Sequence, residues 1–368
     1  MRSGRLDRRG VVVGSATAAL STMLPRALRG QETEPSLGRL ASQKGILFGS
    51  VCLARELDSD PAYAGLLGRE CRVIVPGIEL KWAPLRPRPD QFDFSRADMV
   101  IRFAESIGAL VRGHTLVWHE TLPQWLPSTM EGPAARALLA RHIAVVCGRY
   151  RNRIHSWDVV NEAVEPDDGR ADGLRVTPWL RAMGPGYIAE AFRMAAEADP
   201  SAILTYNDDG ICDSSRSAVA KRQAVQRLLD QLGSAGAPVQ ALGMQAHLTT
   251  AMEFRGPELR RFLDDLQGRG LKVMITELDV LDRRAGQDPS GQDQRVADTY
   301  RRFLDVVLAH RATVACVAWG MSDRHSWLRL VDWKTSGDLR PHPYDEELRR
   351  KAAWSAIYRS LENAPTRS

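Results

Sequence analysis

The 368-residue sequence lacks most of the short motifs that identify common binding and catalytic chemistries. No stretch approaches the roughly 20 apolar residues of a membrane-spanning helix, which argues against an integral membrane protein. There is no phosphate-binding glycine loop and no dinucleotide fingerprint, so nucleotide chemistry has no support. No Cys-x-x-Cys pair or His-Glu-x-x-His helix is present, and we expect neither a metal site nor a cofactor.

Cysteine is also scarce, and its copies are far apart in the chain: Cys52, Cys71, Cys147, Cys212 and Cys316. An odd count with wide spacing does not indicate a dense disulfide framework. Cys147 falls in a predicted helix and Cys316 in an apolar strand, where a cysteine usually behaves as a small buried hydrophobic residue. The sequence leaves open whether any two of them pair.

The formal net charge of +5 belongs to the N terminus. One aspartate and several arginines account for the whole excess and leave the rest of the chain neutral: Asp7 against Arg2, Arg5, Arg8, Arg9, Arg26 and Arg29. A nucleic-acid-binding surface would need its basic residues in the folded part of the chain. The composition therefore gives no support to a nucleic-acid partner.

The N-terminal segment has the form of a targeting signal. Arg8 and Arg9 precede the apolar run 11–13 and a small-residue stretch that extends to Leu24. This arrangement resembles a twin-arginine export signal, and the alternative is a frayed basic tail. We interpret 1–30 as the signal, 31–44 as a lead-in, 45–362 as the folded domain and 363–368 as a tail. Export would place the protein in the periplasm or outside the cell, with no membrane partner.

From residue 45 onward, short apolar runs alternate with helical patterns. The predicted strands are 45–51, 71–76, 109–118, 154–161, 202–207, 241–248, 271–280 and 314–320. The predicted helices are 61–69, 99–107, 134–150, 187–198, 217–232, 257–267, 293–308 and 345–360. Strands that alternate with helices in this way predict an α/β fold, a single (β/α)8 TIM barrel.

Polar and aromatic residues cluster at the predicted C-terminal ends of these strands, where barrels of this kind hold their active sites. A purely structural barrel would not need them at every rim position. In chain order they are Glu79, Lys81, Trp82, His114, Trp118, His119, Asn161, Glu162, Tyr206, Asn207, Asp208, Gln245, His247, Glu277, Asp279, Trp319 and Trp327.

Two of these residues form a candidate catalytic pair. Glu162 follows the strand Ile-His-Ser-Trp-Asp-Val-Val-Asn, and Glu277 follows Lys-Val-Met-Ile-Thr. Apolar neighbours at a strand end favour a protonated carboxyl group, which suits a general acid. Two carboxylates that meet across a barrel mouth are the machinery of glycosidic bond cleavage, and their separation distinguishes retention from inversion. The alternative is two unrelated glutamates that serve the fold.

A third residue could keep one member of the pair charged. Strand alternation puts Glu277 and Asp279 on one face, and it does the same for Gln245 and His247. A histidine that donates to both Glu277 and Asp279 would hold Glu277 ionised, as a nucleophile requires. The alternative is a histidine that merely satisfies its hydrogen bonds in the core. His114 and His119 have opposite phase, which makes them poor joint metal ligands.

The tryptophans and nearby polar groups suit a sugar ligand. Flat apolar ring faces could cover sugar C–H surfaces, and Lys81, His114 and Asn161 could bind hydroxyl groups. The tryptophans that could cover a sugar are Trp82, Trp118, Trp319 and Trp327. We predict that Trp157 and Trp354 are core residues instead.

These segments together resemble glycoside hydrolase family 10, the endo-β-1,4-xylanases. The most specific are Arg-Gly-His-Thr-Leu-Val-Trp-His at 112–119 and Trp-Asp-Val-Val-Asn-Glu-Ala at 157–163, and the resemblance runs over about residues 45–360. It implies a retaining reaction with Glu162 as acid/base and Glu277 as nucleophile, with no cofactor, on xylan or xylo-oligosaccharides.

The resemblance also implies roles for the surrounding residues. Asn161 would bind the 2-hydroxyl of the sugar that is cleaved, with Lys81 and His114 at its 3-hydroxyl. Trp319 would form the floor of that subsite and Trp327 would cover it. His247 would form a hydrogen bond with Glu277. Tyr206 and Asn207 would line the leaving-group side. The remaining candidate ligands are Glu79, Trp118 and Gln245, and Asp279 is a candidate catalytic residue together with His247 and Asn161.

The chain departs from the family pattern at two places. Gly77-Ile78 stands where the family usually has Glu-Asn, and Thr121 stands where a glutamine is frequent. Both changes remove polar groups from the distal glycone subsite, so we expect intact chemistry with weakened or retuned distal binding. Two alternatives stay open: a related barrel β-glycosidase that acts on another β-glycan, and a carbohydrate-binding barrel without catalysis. We expect a monomer.

Overall fold

A computed structural model describes residues 35–126, 130–284, 288–331 and 339–367, and residues 36–368 form one compact unit. The predicted export signal lies outside the described residues. Within the described ranges, the sheet consists of β1 (Leu47–Cys52), β2 (Val73–Pro76), β3 (Leu110–Gly113), β4 (Ser156–Asn161), β5 (Ile203–Asp208), β6 (Ala241–Met244), β7 (His247–Thr249), β8 (Lys272–Leu281) and β9 (Thr313–Ala318).

Eight of these strands form a closed parallel ring. Each of β1 to β5 pairs with the next strand along the chain, β6 pairs with β8, and β8 pairs with β9. The ring closes where Leu47 of β1 lies beside Ala315 of β9. The short β7 pairs with the outer half of β8, where His247 lies beside Asp279. The predicted (β/α)8 barrel is therefore confirmed.

Helices surround the ring. The described ones are α1 (Leu37–Gln43), α2 (Ala54–Ser59), α3 (Pro61–Glu70), α4 (Trp82–Leu85), α5 (Ser95–Ser106), α6 (Gly132–Arg149), α7 (Pro178–Met183), α8 (Tyr187–Ala198), α9 (Arg216–Ser234), α10 (Gly256–Gly268), α11 (Pro289–Val307), α12 (Leu328–Val331) and α13 (Ala352–Asn363). None of the described helices is both long enough and apolar enough to cross a membrane.

Local sequence signals set several helix starts. Asp60 accepts a hydrogen bond from the N–H of Tyr63 at 3.0 Å, and Pro61 opens α3. Thr177 accepts from the N–H of Leu180 at 3.0 Å in the same way at the start of α7. A polar cap followed by proline satisfies one exposed N–H and removes another, which favours a helix start at that point.

The strands are buried on both faces, which explains their nearly continuous apolar character. Alternate residues of β2 face different clusters: Ile74 packs in the main core with the helices, whereas Val73 and Val75 pack with Val317 and Trp319. Trp157 is fully buried on β4, as predicted. Side chains therefore fill the ring, and the mouth of the barrel is left for polar groups.

Three predicted elements differ from the structure. The strand 109–118 ends at Gly113, so His114 and Trp118 lie on irregular backbone and their predicted shared phase does not apply. The strand 241–248 is interrupted at Ala246, which has a left-handed φ of 63°. The helix 345–360 begins only at Ala352, because Tyr344 and Arg350 form an antiparallel bridge around a turn and Lys351 has an extended backbone.

The predicted tail is packed against the barrel. The N–H of Arg367 donates to the carbonyl oxygen of Lys44 at 2.8 Å. Its guanidinium donates to the carbonyl oxygens of Leu308 and His310 at 2.8 and 3.0 Å. The segment before β1 and the segment after α13 are thereby tied together at the N-terminal face of the barrel.

Candidate active site

Glu162 follows β4 directly and has a left-handed backbone, with φ of 55°. Three N–H groups donate to its carboxylate: Trp118 Nε1 at 2.9 Å, Asn161 Nδ2 at 3.0 Å and Gln245 Nε2 at 2.7 Å. The prediction from the strand end was an apolar environment around this group. The structure instead surrounds the Glu162 carboxylate with hydrogen-bond donors, which orient it toward the mouth of the barrel.

Glu277 lies on β8 and is almost fully buried. Its Oε1 accepts a hydrogen bond from Asn207 Nδ2 at 2.9 Å, and its Oε2 lies 3.3 Å from His247 Nε2. Burial by itself would raise the pKa of Glu277, but His114, His247 and Lys81 outweigh it and the pKa falls to about 2. This carboxylate is therefore held in its charged form.

His247 connects Glu277 to a second acid. Its Nδ1 lies 3.0 Å from Asp279 Oδ1, and Trp327 Nε1 donates to the other oxygen of Asp279 at 2.7 Å. Burial would lower the pKa of His247, but the charges and hydrogen bonds of Asp279 and Glu277 raise it to about 10. The imidazole therefore donates to both carboxylates. Because the strand 241–248 is interrupted at Ala246, it is the pairing of β7 with β8, and not alternation along one strand, that places His247 beside Asp279.

Two side-chain amides join the two glutamates. Asn207 Nδ2, which donates to Glu277, also donates to Asn161 Oδ1 at 2.8 Å, and Asn161 donates in turn to Glu162. Thr276 Oγ1 fixes the orientation of the Asn207 amide by donating to its Oδ1 at 2.7 Å. Glu162 and Glu277 are therefore linked by one continuous hydrogen-bonded network.

Glycine at position 243 makes room for this network. A Cβ atom built on Gly243 would lie 2.1 Å from Asn207 Oδ1 and 3.0 Å from the Thr276 methyl group. Contacts that short would force the amide to move. The residue was not singled out from sequence, because a lone glycine in an apolar strand gives no sign of what approaches it.

A buried charge pair supports His114 from inside the ring. His114 Nδ1 lies 3.0 Å from Asp158 Oδ2, and Arg112 forms an ion pair with the other oxygen of Asp158. Arg112 also donates to Ser156 Oγ at 3.1 Å. These residues are almost fully buried, so the pairing offsets the cost of burying the charges. Sequence reasoning missed Arg112 and Asp158, although both lie inside the motifs it used.

Aromatic and basic groups border the two glutamates. Lys81 Nζ lies 4.4 Å from the centroid of the Trp118 ring, and burial lowers the pKa of Lys81. The Trp319 ring stands edge-on to His114 at 5.4 Å between centroids. The Trp327 ring lies 5.0 Å from the ring of His247. These residues form a border of aromatic rings around the two glutamates.

Four predicted binding residues do not line the site. Glu79 accepts from the N–H groups of Ala54 at 2.6 Å and Ile78 at 3.2 Å, so its carboxylate binds backbone instead of ligand. Trp82 is a core residue that stacks on His142 with 3.7 Å between ring centroids. The other two, Tyr206 and Asn207, lie on β5.

Tyr206 and Asn207 were expected on the leaving-group side, and both are fully buried. Asn207 points into the ring and bridges Asn161 and Glu277, so it supports the site from beneath. Tyr206 points the other way along the strand, and its hydroxyl donates to Asp208 on the helix-facing side. Strand alternation alone separates these neighbours, and the prediction did not apply it here.

Two other rim residues have different surroundings. Asp208 forms an ion pair with Lys221 at 3.0 Å, and burial raises the pKa of Asp208 to about 7. His119 lies near Glu120, with 3.7 Å between Nε2 and Oε1. Over the described part of the chain, no three His, Cys, Asp or Glu side chains are arranged to hold a metal ion.

Comparison with known proteins agrees with this geometry. The family model described as glycosyl hydrolase family 10 matches residues 36–360. Endo-1,4-β-xylanase B of Paenibacillus barcinonensis is 35% identical over 299 residues, which cover 76% of this chain and 85% of the relative. Endo-1,4-β-xylanase B of Thermotoga neapolitana is 33% identical over 304 residues, covering 82% and 83%.

A solved structure shows the same architecture. Xylanase 10B from Thermotoga petrophila RKU-1, in complex with xylobiose, superposes with a TM-score of 0.83 at 31% sequence identity. The superposition covers 90% of this chain and 99% of that chain. The chain belongs to glycosyl hydrolase family 10, and the class of protein is a glycoside hydrolase built on a single barrel.

Proposed function

We propose that the protein is a retaining endo-β-1,4-xylanase. The observation that carries the proposal is the joined pair of glutamates: Glu277 is held charged by His247, and Glu162 is connected to it through Asn161 and Asn207. The relatives named endo-1,4-β-xylanase, and the neighbour solved with xylobiose, supply the substrate class.

The reaction proceeds in two displacements. Glu277 attacks the anomeric carbon and forms a glycosyl–enzyme bond while the glycosidic C–O bond breaks, and Glu162 gives its proton to the departing oxygen. Glu162 then takes a proton from water, whose oxygen attacks the anomeric carbon and releases Glu277. Asn161, Lys81 and His114 bind the hydroxyl groups of the sugar between the two carboxylates.

The stacking groups complete the subsite for the sugar that is cleaved. Trp319 forms its floor and Trp327 covers it. An edge-on contact with His114 supports the Trp319 ring, and a tilted contact with His247 supports the Trp327 ring. Trp118 contributes an N–H to Glu162 and a ring face to Lys81. Gln245 acts as a second donor that orients Glu162.

The distal glycone subsite is weakened or retuned by Gly77, Ile78 and Thr121. Ile78 is 46% exposed, which puts an apolar side chain where the family usually has a polar one. A Cβ at Gly77 would lie 2.7 Å from side-chain atoms of both Val51 and Leu53. The backbone there fits a glycine, so Ile78→Asn is the less disruptive change. It should raise kcat/KM on short xylo-oligosaccharides, whereas Ile78→Ala should not.

The second candidate is a barrel glycosidase that acts on another β-glycan. One relative, from Acetivibrio thermocellus, is named Exoglucanase XynX and is 32% identical over 314 residues that cover 82% of this chain. That protein is much longer, since the match covers 27% of it. A third candidate, a binding barrel without catalysis, is disfavoured by the intact pair of glutamates and the charged His247.

A panel of polysaccharides decides among the three. The expected result is release of reducing sugar from xylan and arabinoxylan, with xylo-oligosaccharide products, and little release from mixed-linkage glucan or cellulose. Preferential hydrolysis of a glucan would favour the second candidate. Binding to xylan without release of reducing sugar would favour the third.

We also propose that the protein is exported by the twin-arginine route and acts as a monomer. Support for export comes from Arg8 and Arg9 ahead of an apolar run. Replacing both arginines by lysine should leave the full chain in the cytoplasm of a host that exports the unaltered chain. Light scattering at several concentrations tests the monomer.

A further inference from the structure

The backbone of Glu162 is held in a conformation that residues other than glycine seldom adopt. Its φ of 55° lies in the left-handed region, which persists only where the surrounding contacts enforce it. Its N–H donates to the carbonyl oxygen of Asn207 at 2.9 Å. Its carbonyl oxygen accepts from Nε of Arg175 at 2.9 Å. Because these groups flank the Cα atom, fixing both fixes the direction in which the side chain leaves the backbone.

Arg175 belongs to the returning part of the loop that follows β4. Its own N–H donates to the carbonyl oxygen of Ala163 at 2.8 Å. The next residues of the two segments, Val164 and Leu174, form an antiparallel bridge. The outgoing segment that carries Glu162 is thus bound along its length by the segment that carries Arg175.

The guanidinium of Arg175 is itself held in place by acids. Its Nη2 donates to Glu165 Oε2 at 3.0 Å and lies 3.9 Å from Asp209 Oδ1. Lys221 forms an ion pair with Asp209 and lies 4.0 Å from Glu165 Oε2. Only 19% of the Arg175 side chain is exposed. A partly buried network of this kind loses its geometry when its central cation is removed.

We propose that Arg175 is a positioning residue, which holds Glu162 in the orientation that proton transfer to the glycosidic oxygen requires. The inference rests on the proposed acid/base role of Glu162. Arg175 acts through the main chain of its neighbour, so its removal affects the step that needs the acid. Attack by Glu277, which is held by His247 and Asn207, keeps its own supports.

The test compares two substrates that differ in their need for an acid. Xylotetraose has a poor leaving group, which needs a proton to depart. In 2,4-dinitrophenyl β-xylobioside the leaving group is 2,4-dinitrophenolate, which departs without protonation, and kcat/KM reports the first displacement for both substrates. Arg175→Met should lower kcat/KM on xylotetraose on the order of 10- to 100-fold, as expected for a misplaced reacting group. The loss on the dinitrophenyl substrate should be much smaller, and Arg175→Lys should recover part of the difference.

Arg170→Met is the matched control. Arg170 lies in the same loop and pairs with Asp172 at 2.6 Å near the surface, so this variant should behave like the unaltered protein on both substrates. An equal loss on both substrates by Arg175→Met, or no loss on either, would overturn the inference. Inactivity of the unaltered protein on both substrates would instead refute the proposed function.

A second variant covers the case in which Arg175→Met does not fold. Glu165→Gln keeps the arginine but removes the charge that holds its guanidinium. It should shift the ratio of the two kcat/KM values in the same direction by a smaller amount. An unchanged ratio in folded Glu165→Gln, judged by its circular dichroism and Tm, would also overturn the inference.

Discussion

Nε2 of His247 lies 3.3 Å from Oε2 of Glu277, on the side of the carboxylate away from Asn207. The imidazole also binds Asp279, so the histidine stays protonated and the pKa of His247 is raised to about 10. A cation in this position stabilises a negative charge on Glu277 through both charge and hydrogen bonding. The reactivity proposed for Glu277 depends on this relationship.

Removal of His247 should therefore change how activity depends on pH. In His247→Ala the pKa of Glu277 rises, because burial then acts with fewer opposing charges. The acidic limb of kcat/KM on an aryl xylobioside should move to higher pH by roughly one unit or more, equivalent to ~1.4 kcal/mol of lost interaction. An acidic limb that stays in place would contradict the role given to His247.

His310→Ala is a control for this experiment. His310 lies in the segment between α11 and β9, on the N-terminal side of that strand. Its Nε2 lies 3.0 Å from Asp264 Oδ1. The pH dependence of this variant should match that of the unaltered protein.

The two glutamates should differ in their response to substitution. Glu277→Ala should abolish turnover on every substrate, because no other group forms the covalent bond. Glu162→Ala should lower kcat/KM on xylan by about 10²- to 10⁴-fold, the usual contribution of a general acid. Its effect on aryl glycosides with good leaving groups should be much smaller. Equal losses on xylan and on the aryl substrate would argue against Glu162 as the acid.

Gly243→Ala should disturb the hydrogen bonds of the site, although residue 243 does not itself bind the sugar. The added methyl group would lie 2.1 Å from Asn207 Oδ1, so the amide that binds Glu277 and Asn161 must move. We expect kcat to fall more than KM rises. Gly233→Ala is the control, because a Cβ there has no atom within 4 Å among the described residues. Similar kinetics for the two variants would show that the position of Asn207 does not matter.

The cysteines should be unreactive in the folded protein. All five are buried and unpaired in the structure, and burial raises the pKa of each thiol. A thiol reagent such as DTNB should therefore label none of them quickly at neutral pH and all five after denaturation. Fewer than five thiols in the denatured, unreduced protein would reveal a disulfide.

The barrel and the glutamate pair were predictable because both depend on periodic or local features. Alternating apolar runs and helical patterns specify the ring, and strand ends mark its mouth. Glu162 and Glu277 could be found from these features alone, whereas His247 is placed by the short β7, which a continuous strand 241–248 does not predict. Trp157 and Trp354 are core residues as predicted, since both are nearly inaccessible.

Other parts of the site depend on contacts between distant segments. Glu79 resembles a rim ligand in sequence, and only the approach of α2 reveals that Ala54 occupies its carboxylate. The left-handed conformation of Glu162 results from bonds to β5 and to the loop before α7. The position of Arg112 follows from side chains that three other strands, β4, β5 and β8, send into the ring. Tyr206 is the exception, because strand alternation could have placed it correctly.

Capture of the covalent intermediate tests the central claim most directly. The protein is treated with an activated 2-deoxy-2-fluoro-β-xylobioside, whose glycosyl–enzyme hydrolyses slowly, and is then digested and mapped by mass spectrometry. We expect one xylobiosyl adduct on the peptide that contains Glu277, with fragmentation that assigns it to this side chain. An adduct on another residue, or no adduct on a protein that cleaves xylan, would contradict the account.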